Sequence, residues 1–211
     1  IDFQEQASVS TNTALMLLTT TSASGNIALG ATAKDMHITD AELGAVYSGG
    51  GLVIGDSSSG DIEVDGIADS SSDTLGALLL RATKAGKIVY FRNSSSQFNK
   101  GITIQAVAGV VMSASMTTKQ TATTLFAGTG TITVAAAKVL SSSSQQLVLT
   151  ADDMDLLGGI STGTSTLVLR CNTAGRTIGL GSGSGQLVLS ASEIGLLNAA
   201  GVTVGDTQCG S

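Results

Sequence analysis

The side chains with the most reactive chemistry are one histidine, two cysteines and a group of charged and aromatic residues between positions 69 and 98. His37 is the only histidine, so a Ser-His-Asp triad would have to be built around it. It lies between Met36 and Ile38 in a strand-like run, which directs His37 away from the apolar face. We therefore interpret it as an outward polar residue, and the sequence predicts no catalytic residue.

The charged and aromatic group fits contact with a partner or a glycan. The candidate contact residues are Arg81, Lys84, Lys87, Tyr90 and Arg92. Asp69 and Asp73 precede them, and a polysaccharide lyase would need clustered acidic residues for calcium and a basic residue in a groove. A solvated turn explains the same residues without any ligand. A polysaccharide-binding or lyase-type protein remains the enzymatic alternative to a non-enzymatic chain.

Cys171 and Cys209 are too few for a disulfide framework or a metal cage. They are candidates for one disulfide with each other or with neighbouring copies, and two incidental free thiols are the alternative. The glycine-rich stretch at 179–185 is not followed by the Gly-Lys-Ser/Thr that a phosphate loop requires. Calcium-binding repeats of the Gly-Gly-x-Gly-x-Asp type are missing as well. The sequence thus predicts no metal and no cofactor.

The composition excludes several classes of protein. Hydrophobic residues make up 42% of the chain but charged residues only 12%, which is the reverse of a disordered segment. The net charge is -6 and the basic residues are scattered, so a nucleic-acid interface is not expected. No apolar run reaches the roughly 18 residues needed to span a bilayer, so membrane insertion is not expected either. Aromatic residues are only 3%, which favours a narrow aliphatic core.

An internal repeat is the strongest signal in the sequence. Residues 9–46 align without a gap with residues 160–197, and residues 51–56 align with residues 201–206. The matches fall on apolar and glycine positions. Fixed self-similarity is typical of proteins built from stacked units. We therefore interpret residues 1–211 as one continuous solenoid segment, with residues 9–56 matching 160–206 and a less regular insert at 62–146.

The repeated units consist of short strands and turns. Runs such as Ile102-Thr103-Ile104 and Leu167-Val168-Leu169 alternate apolar and outward residues and are bounded by Gly/Ser/Thr stretches. A strand this short cannot bury a core alone, but stacked copies about 4.8 Å apart can. The pattern predicts about nine or ten coils. Their inward ladders are expected to include Leu29, Ile38, Leu43, Leu149, Leu169, Leu180, Leu189 and Val204.

Helical turns are predicted at three places by capping motifs. Thr39 with Glu42 and Ser190 with Glu193 have the spacing of a capping box. Thr150 with Asp153 is a weaker match, because Asp stands where Glu is preferred. We expect a single helical turn after each of them.

The two ends of the sequence resemble consecutive parts of one repeat. Gly205–Ser211 followed by Ile1-Asp2-Phe3 would imitate residues 55–64. This suggests one period of a tandem array. The expected partners are therefore copies of the chain itself, arranged end to end, with surface glycans or other cell-surface proteins as further candidates.

The motif at 178–206 combines Ile178-Gly179-Leu180-Gly181 with Leu187-x-Leu189-Ser190-x-x-Glu193-Ile194 and Gly201-Val202-Thr203-Val204-Gly205-Asp206. This motif resembles repeats of filamentous-haemagglutinin-like giant surface proteins. The resemblance implies a right-handed parallel β-helix, secretion to the cell surface, and a role in adhesion or filament formation.

The sequence therefore predicts an all-β, right-handed parallel β-helix with short capped helical turns. The expected function is non-enzymatic: a stiff extracellular stalk or filament-forming unit. An ice-binding β-solenoid is a further alternative, because Thr11-x-Thr13, Thr131-x-Thr133 and Thr164-x-Thr166 are present. These pairs do not recur in every predicted coil.

Overall fold

The computed structural model describes residues 7–210, so the predicted continuation at Ile1–Phe3 lies outside the described residues. The described chain forms strands β1 to β24 and two short helices, α1 and α2, numbered along the sequence. The strand pairs between them are all parallel. The protein is therefore mostly β and all-parallel, which is consistent with a parallel β-solenoid.

Sheet 1 has eight strands and runs along the whole stack. In spatial order they are β2 (Met16–Leu18), β6 (Leu52–Ile54), β8 (Leu78–Ala82), β11 (Ile102–Ala106), β14 (Thr123–Phe126), β17 (Leu147–Ala151), β20 (Thr166–Cys171) and β24 (Gly201–Val204). The spatial order follows the sequence order. Each later strand is thus laid down one step further along the stack.

Sheet 2 has seven strands: β4 (Met36–Ile38), β3 (Ile27–Gly30), β7 (Ile62–Asp65), β9 (Val89–Phe91), β12 (Gly109–Met112), β15 (Thr131–Val134) and β18 (Asp153–Leu156). Sheet 3 has five: β10 (Ser96–Phe98), β13 (Met116–Thr118), β16 (Val139–Ser141), β19 (Gly159–Ser161) and β23 (Leu197–Asn198). Two pairs complete the fold: β1 (Val9–Asn12) with β5 (Val46–Ser48), and β21 (Ile178–Leu180) with β22 (Leu187–Leu189).

The central coils have one strand in each sheet, visited in the order sheet 1, sheet 2, sheet 3. Side chains stacked on neighbouring coils are close in sequence here: Arg81 and Gln105 are 24 residues apart, and Gln146 and Thr166 are 20 apart. The coil between β1 and β5 is longer, since Thr11 contacts Ser48 across 37 residues. The extra length holds β4 and α1 (Asp40–Gly44).

The core is a set of aliphatic ladders between the sheets. One inward ladder of sheet 1 is aliphatic in every coil: Leu18, Ile54, Leu80, Ile104, Leu125, Leu149, Leu169 and Val204. Of the predicted ladder residues, Leu29, Ile38, Leu43, Leu149, Leu169 and Leu189 are buried. Val204 is half-buried, and the prediction for Leu180 is wrong, because this side chain is 51% exposed at the end of the stack.

The internal repeat is reproduced element by element. The order β1, β2, β3, β4, α1, β5, β6 recurs as β19, β20, β21, β22, α2 (Ala191–Ile194), β23, β24. In both copies the fourth strand pairs with the third, although the two are consecutive in sequence. The segment between the copies, residues 62–146, forms the three-strand coils. It has a single turn of 3-10 helix at Asp69–Ser72.

The helical turn predicted after Thr150 is wrong. Thr150 lies in β17 and pairs with Phe126 on one side and Arg170 on the other, and Asp153 begins β18 opposite Thr131. Strands on both sides of β17 supply backbone partners for Thr150, and β15 supplies them for Asp153 on one side. A capping motif with the shorter Asp cannot compete with that pairing. The longest sheet also gives eight coils, fewer than the nine or ten expected from the sequence.

Candidate functional site

The two helical turns are fixed by complete capping boxes. Thr39 Oγ1 accepts from the Glu42 amide at 3.1 Å, and Glu42 Oε2 accepts from the Thr39 amide at 2.7 Å. Ser190 and Glu193 repeat this arrangement, with distances of 3.3 and 2.9 Å. Glu193 also accepts from the Leu156 amide through Oε1 at 3.0 Å. Glu193 therefore joins α2 to the preceding coil.

The carboxylate of Glu193 is stabilised in its charged form. Burial raises its pKa, but hydrogen bonds from the amides of Leu156 and Ser190 and from the Ser190 hydroxyl outweigh burial, so its pKa is lowered. The role of Glu193 is structural: its acceptors are used to tie together two elements of the fold.

The predicted contact residues do not form one basic patch. Arg81 lies on the outer face of sheet 1 and donates to Gln105 at 3.3 Å. Lys84 and Lys87 lie in the turn between β8 and β9, where Lys84 contacts Ser24 and Lys87 pairs with Asp61 at 3.3 Å. Tyr90 and Arg92 lie on sheet 2 and stack on each other, with the guanidinium 5.4 Å from the ring centre. The group is thus divided between two faces.

Glu63 is the centre of a small ion-pair cluster on sheet 2. Its carboxylate pairs with Lys34 at 2.5 Å and with Arg92 at 2.6 Å. Burial raises the pKa of Glu63, but the two cations lower it by more, so the net shift is downward. The charges are paired within the protein. The cluster therefore holds the loop between β3 and β4 against the outer face of sheet 2.

Asp65 forms a second polar contact in the same place. Its carboxylate accepts from Thr32 and Asn93 side chains, both at 2.8 Å, and from the Ser94 amide at 3.0 Å. Burial raises its pKa and these hydrogen bonds lower it further than burial raises it. Sequence analysis did not single out Glu63 or Asp65, because their partners lie on other coils.

The residues that a lyase would need lie apart. Asp69 is in the 3-10 turn, on a different side from Tyr90 and Arg92, and pairs with Lys119 at 2.8 Å. Within residues 7–210, no group of three or more His, Cys, Asp or Glu side chains is placed to hold a metal ion. His37 is half-buried, with Nε2 2.6 Å from the carbonyl oxygen of Gly30.

The three Thr-x-Thr pairs do not share a face. Thr11 is at the first coil and donates to the carbonyl of Ala14 at 2.8 Å. Thr131 and Thr133 lie on the outer face of sheet 2 in the middle of the stack. The pair at Thr164 and Thr166 lies at the start of β20, near the other end. A continuous flat threonine surface is therefore not formed by these residues.

Cys171 and Cys209 form a disulfide, with their Cα atoms 5.5 Å apart. Cys171 ends β20, and Cys209 lies in the turn after β24. The same turn in the first copy has Ser59 at the place of Cys209. There the hydroxyl and amide of Ser58, with those of Ser59, lower the pKa of Asp56 to about 2. In the second copy Asp206 still accepts from the amides of Gln208 and Cys209, and the disulfide stands in place of the Ser59 hydroxyl contact. The disulfide fastens the last described coil to the one before it.

The end of the stack at β24 has an apolar depression with a volume of about 310 Å³. It is lined by Leu180, Leu189, Ile194, Leu197, Val202 and Val204. Ile194 is 41% exposed and Val202 is 44% exposed. In sheet 1, β24 is the outermost strand, so one edge of its backbone has no strand beside it among the described residues. This end, which we call the β24 end, is an uncovered cross-section of the core.

Comparisons with protein-family models, with curated proteins and with solved structures gave no match to this chain. Among the described residues, neither helix has the length and apolar character needed to cross a membrane.

Proposed function

We propose that this protein is a non-enzymatic structural or adhesive element of the cell exterior, built as a stiff right-handed parallel β-helix. Its function follows from its shape, which is a stiff stack of coils with a fixed length and a repeating surface. The resemblance to filamentous-haemagglutinin-like repeats agrees with this role, and adhesion would use the side faces of the rod.

The observation that carries the proposal is the unbroken stack of eight parallel strands in sheet 1. At about 4.8 Å per step, the strands extend over roughly 34 Å. Aliphatic residues continue from coil to coil along the core, and each of the six inner strands of sheet 1 is hydrogen-bonded to the coil on either side. Bending such a stack requires many hydrogen bonds and packed side chains to be strained together, so the unit is stiff.

Location outside the cell is supported by the disulfide between Cys171 and Cys209. Disulfides persist in oxidising compartments and are rare in the reducing cytosol. The low content of charged residues, 12%, and the Ser/Thr-rich turns are also compatible with a surface protein.

The proposal is tested by the shape of the protein in solution and by microscopy of native material. Small-angle X-ray scattering is expected to fit a stack of eight coils about 34 Å long, and electron microscopy to show regular extended structures at the cell surface. Scattering that a stack of coils does not fit, or native material without extended structures, would contradict the structural role. Calcium-dependent cleavage of an acidic polysaccharide would instead establish the lyase alternative.

A further inference from the structure

The uncovered β24 end has a covered equivalent within the same chain. The six residues that line its depression correspond, through the internal repeat, to Leu29, Ile38, Leu43, Val46, Leu52 and Ile54. All six equivalents are buried, with exposed fractions of 0% or 1%. The sequence at the β24 end is thus that of an interior layer of the stack.

What covers the equivalent layer is one further coil of the same kind. β7 pairs with β3 and places Val64 beside Leu29. β8 pairs with β6 and places Leu78 beside Leu52 and Leu80 beside Ile54. The β24 end is therefore suited to contact a coil that has aliphatic residues at these inward positions.

The opposite end of this chain has such a coil. β1 and β2 are outermost strands, each paired on one side only among the described residues. Val9 in β1 is 37% exposed, whereas its repeat equivalent Ile160 is buried between Leu140 and Leu197. The first coil thus also has the sequence of an interior layer, and its inward residues in β2 are Met16 and Leu18.

Resting on the proposed structural function, we infer that the β24 end binds the β1–β2 end of a second copy of this chain, head to tail. β23 pairs in parallel with β1 of the second copy, and β24 pairs with its β2. Because the two ends are different surfaces, the contact does not close on itself, and repeated addition produces a filament.

The internal pairings define the register of this joint. Within the chain, Leu52 pairs with Leu78, the first inward residue of the next strand of sheet 1. Val202 is the equivalent of Leu52, and Met16 is the first inward residue of β2. Val202 is therefore placed beside Met16, Thr203 beside Leu17, and Val204 beside Leu18. On sheet 3, the pairing of Leu140 with Ile160 places Leu197 beside Val9.

The first test measures association of the full chain by sedimentation velocity over a range of concentrations. Val202→Asp introduces a carboxylate at the joint, and we expect association to be at least about tenfold weaker, because a buried unpaired charge is costly. Val139→Asp is the matched control: Val139 is 41% exposed in β16, which β19 separates from the edge strand β23. Equal association of the wild type and Val202→Asp would overturn the joint, as would equal weakening by both variants.

The second test measures polarity and register by oxidative cross-linking. A Leu17→Cys protein mixed with a Thr203→Cys protein is expected to give mixed dimers, because paired Cα atoms of neighbouring strands lie within disulfide range. Leu17→Cys mixed with Thr103→Cys, which has the cysteine on an inner coil of the same sheet, is expected to give none. Cross-linked dimers from Leu17→Cys alone would show head-to-head contact and overturn the proposal.

The outcomes for the joint and for the proposed function are separable. A particle that keeps the dimensions of one eight-coil stack at every accessible concentration contradicts the joint and leaves the structural role intact. A particle whose scattering does not fit stacked coils contradicts the structural role itself.

Discussion

Single polar residues decide where the stack departs from regular strands. The Glu193 carboxylate accepts one hydrogen bond from the Ser190 amide, one from the Ser190 hydroxyl and a third from the Leu156 amide on the preceding coil. Its side chain therefore links α2 to the preceding coil. Thr39 and Glu42 make the same local capping pattern in the first copy. This link depends on the negative charge of Glu193, because ionised carboxylates accept stronger hydrogen bonds than amides do.

Glu193→Gln is expected to lower the free energy of unfolding by about 1–2 kcal/mol at pH 7. The folded-state pKa of Glu193 is lowered below its ordinary value of 4.5, so its contribution is complete above that pH and disappears as the pH falls through the lowered pKa. The difference between the wild type and the variant should therefore shrink below about pH 4.5. Denaturant unfolding at pH 7 and pH 3 measures it.

The control for this experiment is Asp155→Asn, which removes an exposed carboxylate on β18 next to Leu156. Its effect on unfolding at pH 7 should be small, because it does not hold α2. An equal loss of unfolding free energy in both variants, or a difference for Glu193→Gln that persists unchanged at pH 3, would refute this role of Glu193.

Equivalent turns differ according to whether a further coil packs against them. Gly55 follows β6 with φ of +84°, and Gly205 follows β24 with φ of +91°. A Cβ added at Gly55 would lie 2.3 Å from the carbonyl oxygen of Arg81 on the next coil. A Cβ at Gly205 would meet only the Ile178 side chain, at 3.3 Å. The two glycines have the same backbone conformation, but only Gly55 has the backbone of a neighbouring coil close to it.

Gly55→Ala is accordingly expected to destabilise the protein by at least about 2 kcal/mol more than Gly205→Ala. Both variants suffer the left-handed backbone strain, and only Gly55→Ala must also push a neighbouring coil away. Guanidinium unfolding of the two variants provides the comparison. Equal losses would mean that coil spacing does not limit this turn.

The sequence predicted the elements whose causes are local. Alternating aliphatic residues predicted the short strands, and the Thr39 and Ser190 motifs preceded the two helices. The same reasoning failed at Thr150, where pairing with Phe126 and Arg170 overrides the local motif. It also failed at Leu180, because burial of an end layer depends on what lies beyond it. The polar cluster around Glu63 was not predictable from spacing, since its partners come from other coils.

The stability of the protein is distributed along the stack. Each coil contacts mainly its two neighbours, so the free energy of the fold is close to a sum of coil and interface contributions. Central coils are covered on both sides, whereas β23 and β24 are covered on one side among the described residues. Opening should therefore begin at the ends, and the disulfide is located where the β24 end would otherwise separate first.

Removing the disulfide should loosen the β24 end and leave the middle unchanged. The bond closes a loop across 38 residues, for which chain entropy gives about 4 kcal/mol. In a Cys171→Ser, Cys209→Ser protein, we expect amide exchange in residues 197–204 to be at least about a hundredfold faster. Exchange in β11 and β15 should be unchanged, because those coils lie far from the site of the removed disulfide. The wild type under reducing conditions should match the double variant; equal acceleration in every coil would instead mean that the protein unfolds as one unit.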